Sequence, residues 1–298
     1  MQWLPFALVA YLSWAFCNLL CKVLISQHIK SPVVNLITMG VWNVLPLFLI
    51  PVQGITIPSF HVLALGLTAG ILYLFILIPY FQALAIEEAS RVIPLSRLTP
   101  LFILLFSGVF AQEALDSYQL LALLMLVVGG FLVSVKHISE IFRPSKAFYL
   151  MLISSLVSAI YCLIARAIYI ELPFYDGFTL IRTSVAFCLL GLLLIPQNRV
   201  EFITTISYMK PHVKKLVILN GLLDFCALIL CNFAMSIAPA SLVSASAGIQ
   251  VVFVLILSIL LSIKFPKLLY EDISRTVLTQ KGIATALIIV GTGMISLH

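Results

Sequence analysis

Residues 85–107 read AIEEASRVIPLSRLTPLFILLFS, and residues 236–258 read SIAPASLVSASAGIQVVFVLILS. Laid one over the other, the two stretches keep an Ala-Ser step, a Phe further on, and a long apolar run. A run of about 20 apolar residues is the length at which a helix crosses the hydrocarbon core, whereas barrel strands alternate apolar and polar residues. The segment therefore reads as a membrane helix, and it occurs twice. The fold follows from those two statements.

Composition agrees with the first. The 298 residues are 62% hydrophobic and 9% charged, far below the roughly 25% charge of soluble domains. The class expected is an all-α polytopic membrane protein in the lipid bilayer. The net charge of +6 does not imply nucleic acid, because Lys and Arg gather in cytoplasmic loops of membrane proteins. All six cysteines lie in apolar runs and none forms CxxC, so neither disulfide nor zinc is expected. The chain opens on an apolar run without a basic leader, which reads as a first span and not as a cleaved signal peptide.

Working outward at about 20 residues per span gives ten transmembrane helices, at 3–25, 33–51, 62–85, 90–111, 118–135, 147–170, 177–196, 215–236, 240–262 and 281–297. The polar connection 264–281 is expected to form a short amphipathic helix on the membrane surface. Fourteen of the 17 Lys and Arg fall at or after the ends of odd-numbered spans, and the other three, Arg97, Arg166 and Arg182, fall inside spans. The positive-inside rule then places the odd loops in the cytoplasm and both termini outside a cell (inner) membrane.

The chain repeats at about 145–150 residues. LFLIP at 47–51 matches LLLIP at 192–196, and VVGGFLVS at 127–134 matches IVGTGMIS at 289–296. Residues 1–143 form a first five-helix repeat and 144–298 a second. Five is odd, so the second enters the membrane inverted. Inverted repeats build transporters whose substrate lies near the midplane.

The chain resembles the drug/metabolite transporter superfamily in its ten-helix EamA-type branch. The resemblance rests on YFQALAIEEASRVIPLSRLTPLFILL (80–105), the acidic turn AQEALDSYQ (111–119) with Glu113, and the Gly-containing end of the fifth span. In the second half Lys264 stands where the family's Glu would recur. The resemblance implies a secondary transporter that moves a small organic metabolite by alternating access. Many relatives have basic loops between helices 2 and 3 and cytoplasmic termini; here the charge bias points the other way.

Intramembrane ionisable groups cost several kcal/mol and are functional candidates. Arg97 lies about 10 Å and Asp224 about 13 Å from the same face, at 1.5 Å per residue. They are expected to pair, directly or through substrate. The pair is read either as a permanent clamp between two helices or as a contact that substrate or a proton competes for. Arg182 lies about 8 Å from the other face; its repeat mate is Ile37, and it reads as snorkelling or as an anion contact. Arg91, Lys22 and Arg166 read as interfacial. Pro94 and Pro100 mark a bend around Arg97, while the matching stretch of the second half carries Ser241, Ser244, Ser246 and Gly248. Trp14, Asn18, Tyr73, Tyr161 and Gln250, with Tyr80 and Asn232, are candidates to line a mixed pocket or to tie helices together. Tyr73 is the repeat mate of Asp224. Gly66–Gly70 and Gly282–Ala286 read as packing steps within the chain.

Two arginines against one deep acid favour an anionic or zwitterionic solute such as an amino acid. No cofactor or metal is expected, coupling to a proton or ion stays open, and a monomer is the default state. Two other readings stand beside transport: an intramembrane lipid-modifying enzyme, and an accessory membrane protein that moves nothing. The enzyme lacks HExxH, GxSxG and paired mid-membrane carboxylates, so none is expected. The internal repeat argues against the accessory role.

Overall fold

A computed structural model describes residues 3–29, 31–49, 58–99, 101–103, 105–106, 117–134, 145–237, 247–266, 272 and 274–297. Among them every regular element is helical. α1 (Trp3–Val23) ends in a π turn, Leu24–His28, and α2 (Pro32–Trp42) follows with a 3-10 turn, Leu45–Leu49. Then come α3 (Phe60–Ile86), α4 (Ala89–Leu95, running into a 3-10 turn at Ser96–Leu98) and α5 (Ser117–Ser134). The rest is α6 (Lys146–Glu171), α7 (Phe174–Gly191), α8 (Pro196–Tyr208), α9 (Pro211–Ile237), α10 (Gly248–Lys264) and α11 (Arg275–Leu297). Each expected span overlaps a helix. Among the described residues, five helices are long and apolar enough to cross a membrane: Trp3–His28, Phe60–Ile86, Lys146–Glu171, Phe174–Leu194 and Arg275–Met294. The chain is a multi-pass membrane protein.

Helix starts follow local chemistry. Ser31, Ser59 and Ser145 each cap the helix that follows, accepting a bond from the N–H three residues on, which satisfies one of the open N-terminal donors. Pro196, at the first helical position, opens α8. The sequence reading left α8 as a connection; it is a surface helix with no buried residue. Of the surface helix expected in 264–281, residues 267–271 and 273 lie outside the described residues, Lys264 ends α10 and α11 already begins at Arg275.

After Pro94 the helix tightens: Thr99 gives its backbone N–H and hydroxyl to the Ser96 carbonyl. That leaves the Leu95 carbonyl open, and the Ser155 hydroxyl of α6 donates to it at 3.1 Å. The neighbouring Ser154 donates to the Ile76 carbonyl at 3.0 Å, beside Pro79 inside α3. Two consecutive serines on α6 thus tie it to the backbones of α3 and α4.

The two halves of the chain interleave. α1 packs mainly on α9 and α10, α3 on α6 and α7, and α5 on α11. Gly66 and Gly70 let α3 approach α7: a Cβ on Gly70 would stand 2.5 Å from the Ser184 carbonyl oxygen. This step packs within the chain, as read from the sequence. Gly282 and Ala286 instead face outward, and nothing lies within 4 Å of a Cβ built on Gly282. The motif marks small residues on one face but not what that face meets. On α5 and α11, a Cβ on Gly129 would meet the Ala284 carbonyl oxygen at 3.0 Å, and one on Gly291 the Ala122 carbonyl oxygen at 2.9 Å.

At one end of the bundle the turn between α3 and α4 is pinned by charge. The Lys22 ammonium donates to the Leu84 and Glu87 carbonyls, both at 2.6 Å. Glu88 is ion-paired to Lys281 at 2.5 Å and to Arg91 at 3.0 Å, and accepts the Asp272 N–H at 2.9 Å. Arg91 also donates to the Val133 carbonyl at the end of α5. Arg91 is therefore not an exposed loop charge: it is 3% exposed, and Lys281 is 1% exposed. Lys22 likewise is held by carbonyls and does not simply reach for water. Arg166 is exposed.

Candidate functional site

Trp14 and Asn18 stand one turn apart on α1, and Tyr73 and Tyr80 two turns apart on α3, so each pair shares a helix face. The faces meet α6, α7 and α9. The Trp14 indole N–H donates to Asp224 Oδ1 at 3.0 Å, and the Tyr80 hydroxyl donates to Asn18 Oδ1 at 3.1 Å. The Tyr73 and Tyr161 rings lie 5.7 Å apart. Arg182 of α7 places its guanidinium 5.8 Å from the Tyr73 ring centre and 5.6 Å from that of Phe178, one turn earlier. Ring faces attract a desolvated guanidinium, which gives Arg182 a setting deep among helices.

Six of the eight candidate residues are thus brought together: Trp14, Asn18, Tyr73, Tyr161, Arg182 and Asp224. All six are half-buried. Asp224 feels the charge of Arg182, yet no ion pair joins them; among the described residues the ion pairs are those of His61–Glu171 and of Glu88. The Arg182 Nε, buried, has no hydrogen-bond partner among the described residues. Phe178 escaped the sequence reading, although its i, i+4 spacing to Arg182 on a helix was a usable signal.

Arg97 and Gln250 form a second, adjoining group. The Arg97 guanidinium donates to Gln250 Oε1 across α4 and α10, near Tyr11 and Cys231, while its Nε has no partner among the described residues. The Tyr11 ring lies 5.9 Å from that of Trp14, so one turn of α1 joins the two groups. The expected direct Arg97–Asp224 pair is not formed. Arg97 lies by Cys231, seven residues along α9 from Asp224 and hence about 10 Å further in. It also points at α10, whereas Asp224 points at α1. Neither the equal depth nor the direction around the helix came out as expected. Pro100, Glu113, Ser241, Ser244 and Ser246 lie outside the described residues, as does the side chain of Asn232.

Beside Asp224 the helices leave a small cavity, about 30 Å3, with α2 closing one side. Its lining includes Cys21, Asn35, Thr38, Trp42, Asn220 and Asp224. Asn220 bonds the Cys21 thiol and accepts the Cys17 thiol at its carbonyl. The Trp42 indole lies against Gly221 so closely that a Cβ there would fall 1.9 Å from it. Only glycine admits that ring.

The comparisons with known proteins bear on the fold of the whole chain and on the first 135 residues of the sequence. The model of the EamA-like transporter family matches residues 1–135. No curated protein matches the chain. Among 24 matching chains of solved structures, one crystal structure has a TM-score of 0.57 at 14% identity, covering 99% of this chain and 96% of its own. At that identity the likeness is one of fold.

Proposed function

On the premise that residues 1–135 belong to the EamA-like transporter family, we propose that the whole chain is a secondary transporter. It carries a small zwitterionic or anionic metabolite, of the amino-acid class, by alternating access between two inverted five-helix halves, residues 1–143 and 144–298. The solute lies among Trp14, Tyr73, Tyr161, Arg182 and Asp224, with Asn18 behind and Arg97–Gln250 at the adjoining end. The observation that carries the reading is the Arg182–Asp224 relation: two opposite charges lie near one another without forming an ion pair, and the buried Arg182 Nε has no hydrogen-bond partner among the described residues. A carboxylate on Arg182 and an ammonium on Asp224 complete both, and the tyrosine and indole rings receive the apolar remainder.

Support for the inverted halves comes from the packing. Exchanging the first five spans with the second five turns the α1–α9 contact into the α6–α3 contact and leaves α5–α11 unchanged, and these three are major contacts of the bundle. Gly129 and Gly291 are mates in the sequence repeat, and each lets the other's helix approach by its backbone. Family members are transporters and not enzymes, which favours transport over intramembrane catalysis.

The test is uptake of labelled amino acids and related acids into proteoliposomes. Arg182→Gln should weaken uptake of carboxylate-bearing solutes about 30-fold or more, since truncating one member of a buried charge pair costs 2–5 kcal/mol. Asp224→Asn should abolish or uncouple transport while the protein remains folded. Wild-type flux in both variants would overturn the reading.

A further inference from the structure

On the face where α1 ends and α9 begins there is a second hollow, an open cleft of about 430 Å3. It is lined by Gln27, His28, Thr205, Tyr208, Lys210 and His212, together with Met209 and Val213. The two imidazole rings lie 6.0 Å apart, edge to face. Nothing in the transport reading uses them.

The cleft and the cavity beside Asp224 lie on one seam. On α9, Val213, Val217, Asn220 and Asp224 follow at intervals of four, three and four residues, a single stripe about 16 Å long. On α1, His28, Leu24, Cys21 and Cys17 form the facing stripe, with Trp14 at its head. The cleft is lined by His28 and Val213, and the cavity by Leu24, Val217, Asn220 and Asp224. Along the seam, Leu24, Ile29 and Val217 of the cavity wall and Val213 of the cleft wall make an apolar collar. Leu24, Ile29 and Val213 are 4%, 2% and 3% exposed. Beyond the collar the lining turns polar again.

The geometry points to a proton route: protons reach Asp224 from the cleft by way of the α1–α9 seam, with His28 and His212 as the receiving groups and the apolar collar as the gate. Imidazoles accept and release protons near neutral pH, and apolar constrictions gate passage by excluding water. The cavity has room for about one or two waters and has polar partners for them in Asn35, Thr38 and Asn220. Each step moves one proton: an imidazolium gives it up, and the Asp224 carboxylate becomes the neutral acid while Trp14 keeps its own N–H. Asp224 is faced by Trp14, Cys17 and Cys21 of α1, Tyr73 and Tyr80 of α3 and Arg182 of α7. The imidazoles are faced by Tyr208 and Lys210, from the end of α8 and the turn into α9. This inference shares Asp224 with the proposed transport site.

A pH jump on the purified full chain in detergent micelles, followed by rapid infrared spectroscopy, tests it. The signal is the carboxylic band that Asp224→Asn removes. Val217→Ser, which wets the collar, should speed its appearance about tenfold, and Asn220→Leu should slow it about tenfold, each a change of one barrier by a factor of ten. His28→Phe with His212→Phe, on the surface where folding is safe, should slow it as well. Equal rates in the wild type, Val217→Ser and the double histidine variant would overturn the route, as would an Asp224 band that does not respond to pH. The outcome is separable from the transport reading: these rate changes in a chain that moves no solute keep the route and end the transporter, and intact flux with equal rates does the reverse.

Discussion

Glu88→Gln is the substitution with the largest effect predicted from the structure. Its carboxylate is shared by two cations, Lys281 at 2.5 Å and Arg91 at 3.0 Å, which are 1% and 3% exposed. Removing one member of a buried ion pair costs about 3–5 kcal/mol, because the charge left behind cannot return to water. Arg91 retains the Val133 carbonyl, so the lower end applies, about 3 kcal/mol. For a chain of this size that lowers the melting temperature by about 6 °C or more. The assay is thermal unfolding in detergent with a thiol-reactive dye. All six cysteines are free, and Cys17, Cys21 and Cys231 are buried until the helices part. Adding Lys281→Met to Glu88→Gln should recover much of the loss, since replacing both members of a buried pair by apolar groups is often neutral. Burial pushes the Glu88 carboxyl up, but Lys281, the Asp272 N–H and Arg91 outweigh it and hold it below the usual carboxylate range. A lowered folded value means the contribution is complete above about pH 4.3, the ordinary value for glutamate. It is lost as pH falls through the lower folded value. The gap between wild type and variant should thus be constant at neutral pH and close in acid. A melting temperature within 1–2 °C of wild type at pH 7 (on the order of the 2–4 °C that 1 kcal/mol gives) would refute the argument.

Three further outcomes follow from particular contacts. Gly70→Ala forces a methyl to 2.5 Å from the Ser184 carbonyl oxygen and should destabilise by about 1–3 kcal/mol, the range for overpacking, read by the same dye; an unchanged melt would deny the α3–α7 contact. Gly221→Ala should expel the Trp42 indole and appear as a shift of tryptophan emission, with Trp42→Phe as control. A reporter fused after His298 should be active in the exterior compartment, and cytoplasmic activity would reverse the topology read from the lysines and arginines.

The helices were visible in the sequence because length and hydropathy suffice to mark them. The Gly66–Gly70 step was visible as well, since two glycines on one face state that something comes close. The charged turn was not. Glu88 and Lys281 are 193 residues apart, and no local pattern says that a lysine counted as a loop residue turns inward. Arg97 and Asp224 show the same limit: rise counted from an assumed helix end put them at one depth, whereas packing offsets them along the bundle and turns them to different helices. Tyr73 and Asp224, mates in the sequence repeat, both lie near Arg182. α8 was missed because an exposed helix with no buried face carries little periodic signal.

The interleaving of the halves has a consequence for how the protein is made. Trp14 meets its carboxylate partner 210 residues later in the chain. At a synthesis rate of 5–20 residues per second, that indole waits about 10–40 s in the bilayer before Asp224 leaves the ribosome. During that interval α1 lacks its main neighbour α9, and α5 lacks α11, which arrives later still, whereas α6 and α7 reach α3 earlier. Part of the first half must therefore survive as separate lipid-wrapped helices, and the polar centre is complete only when α9 arrives.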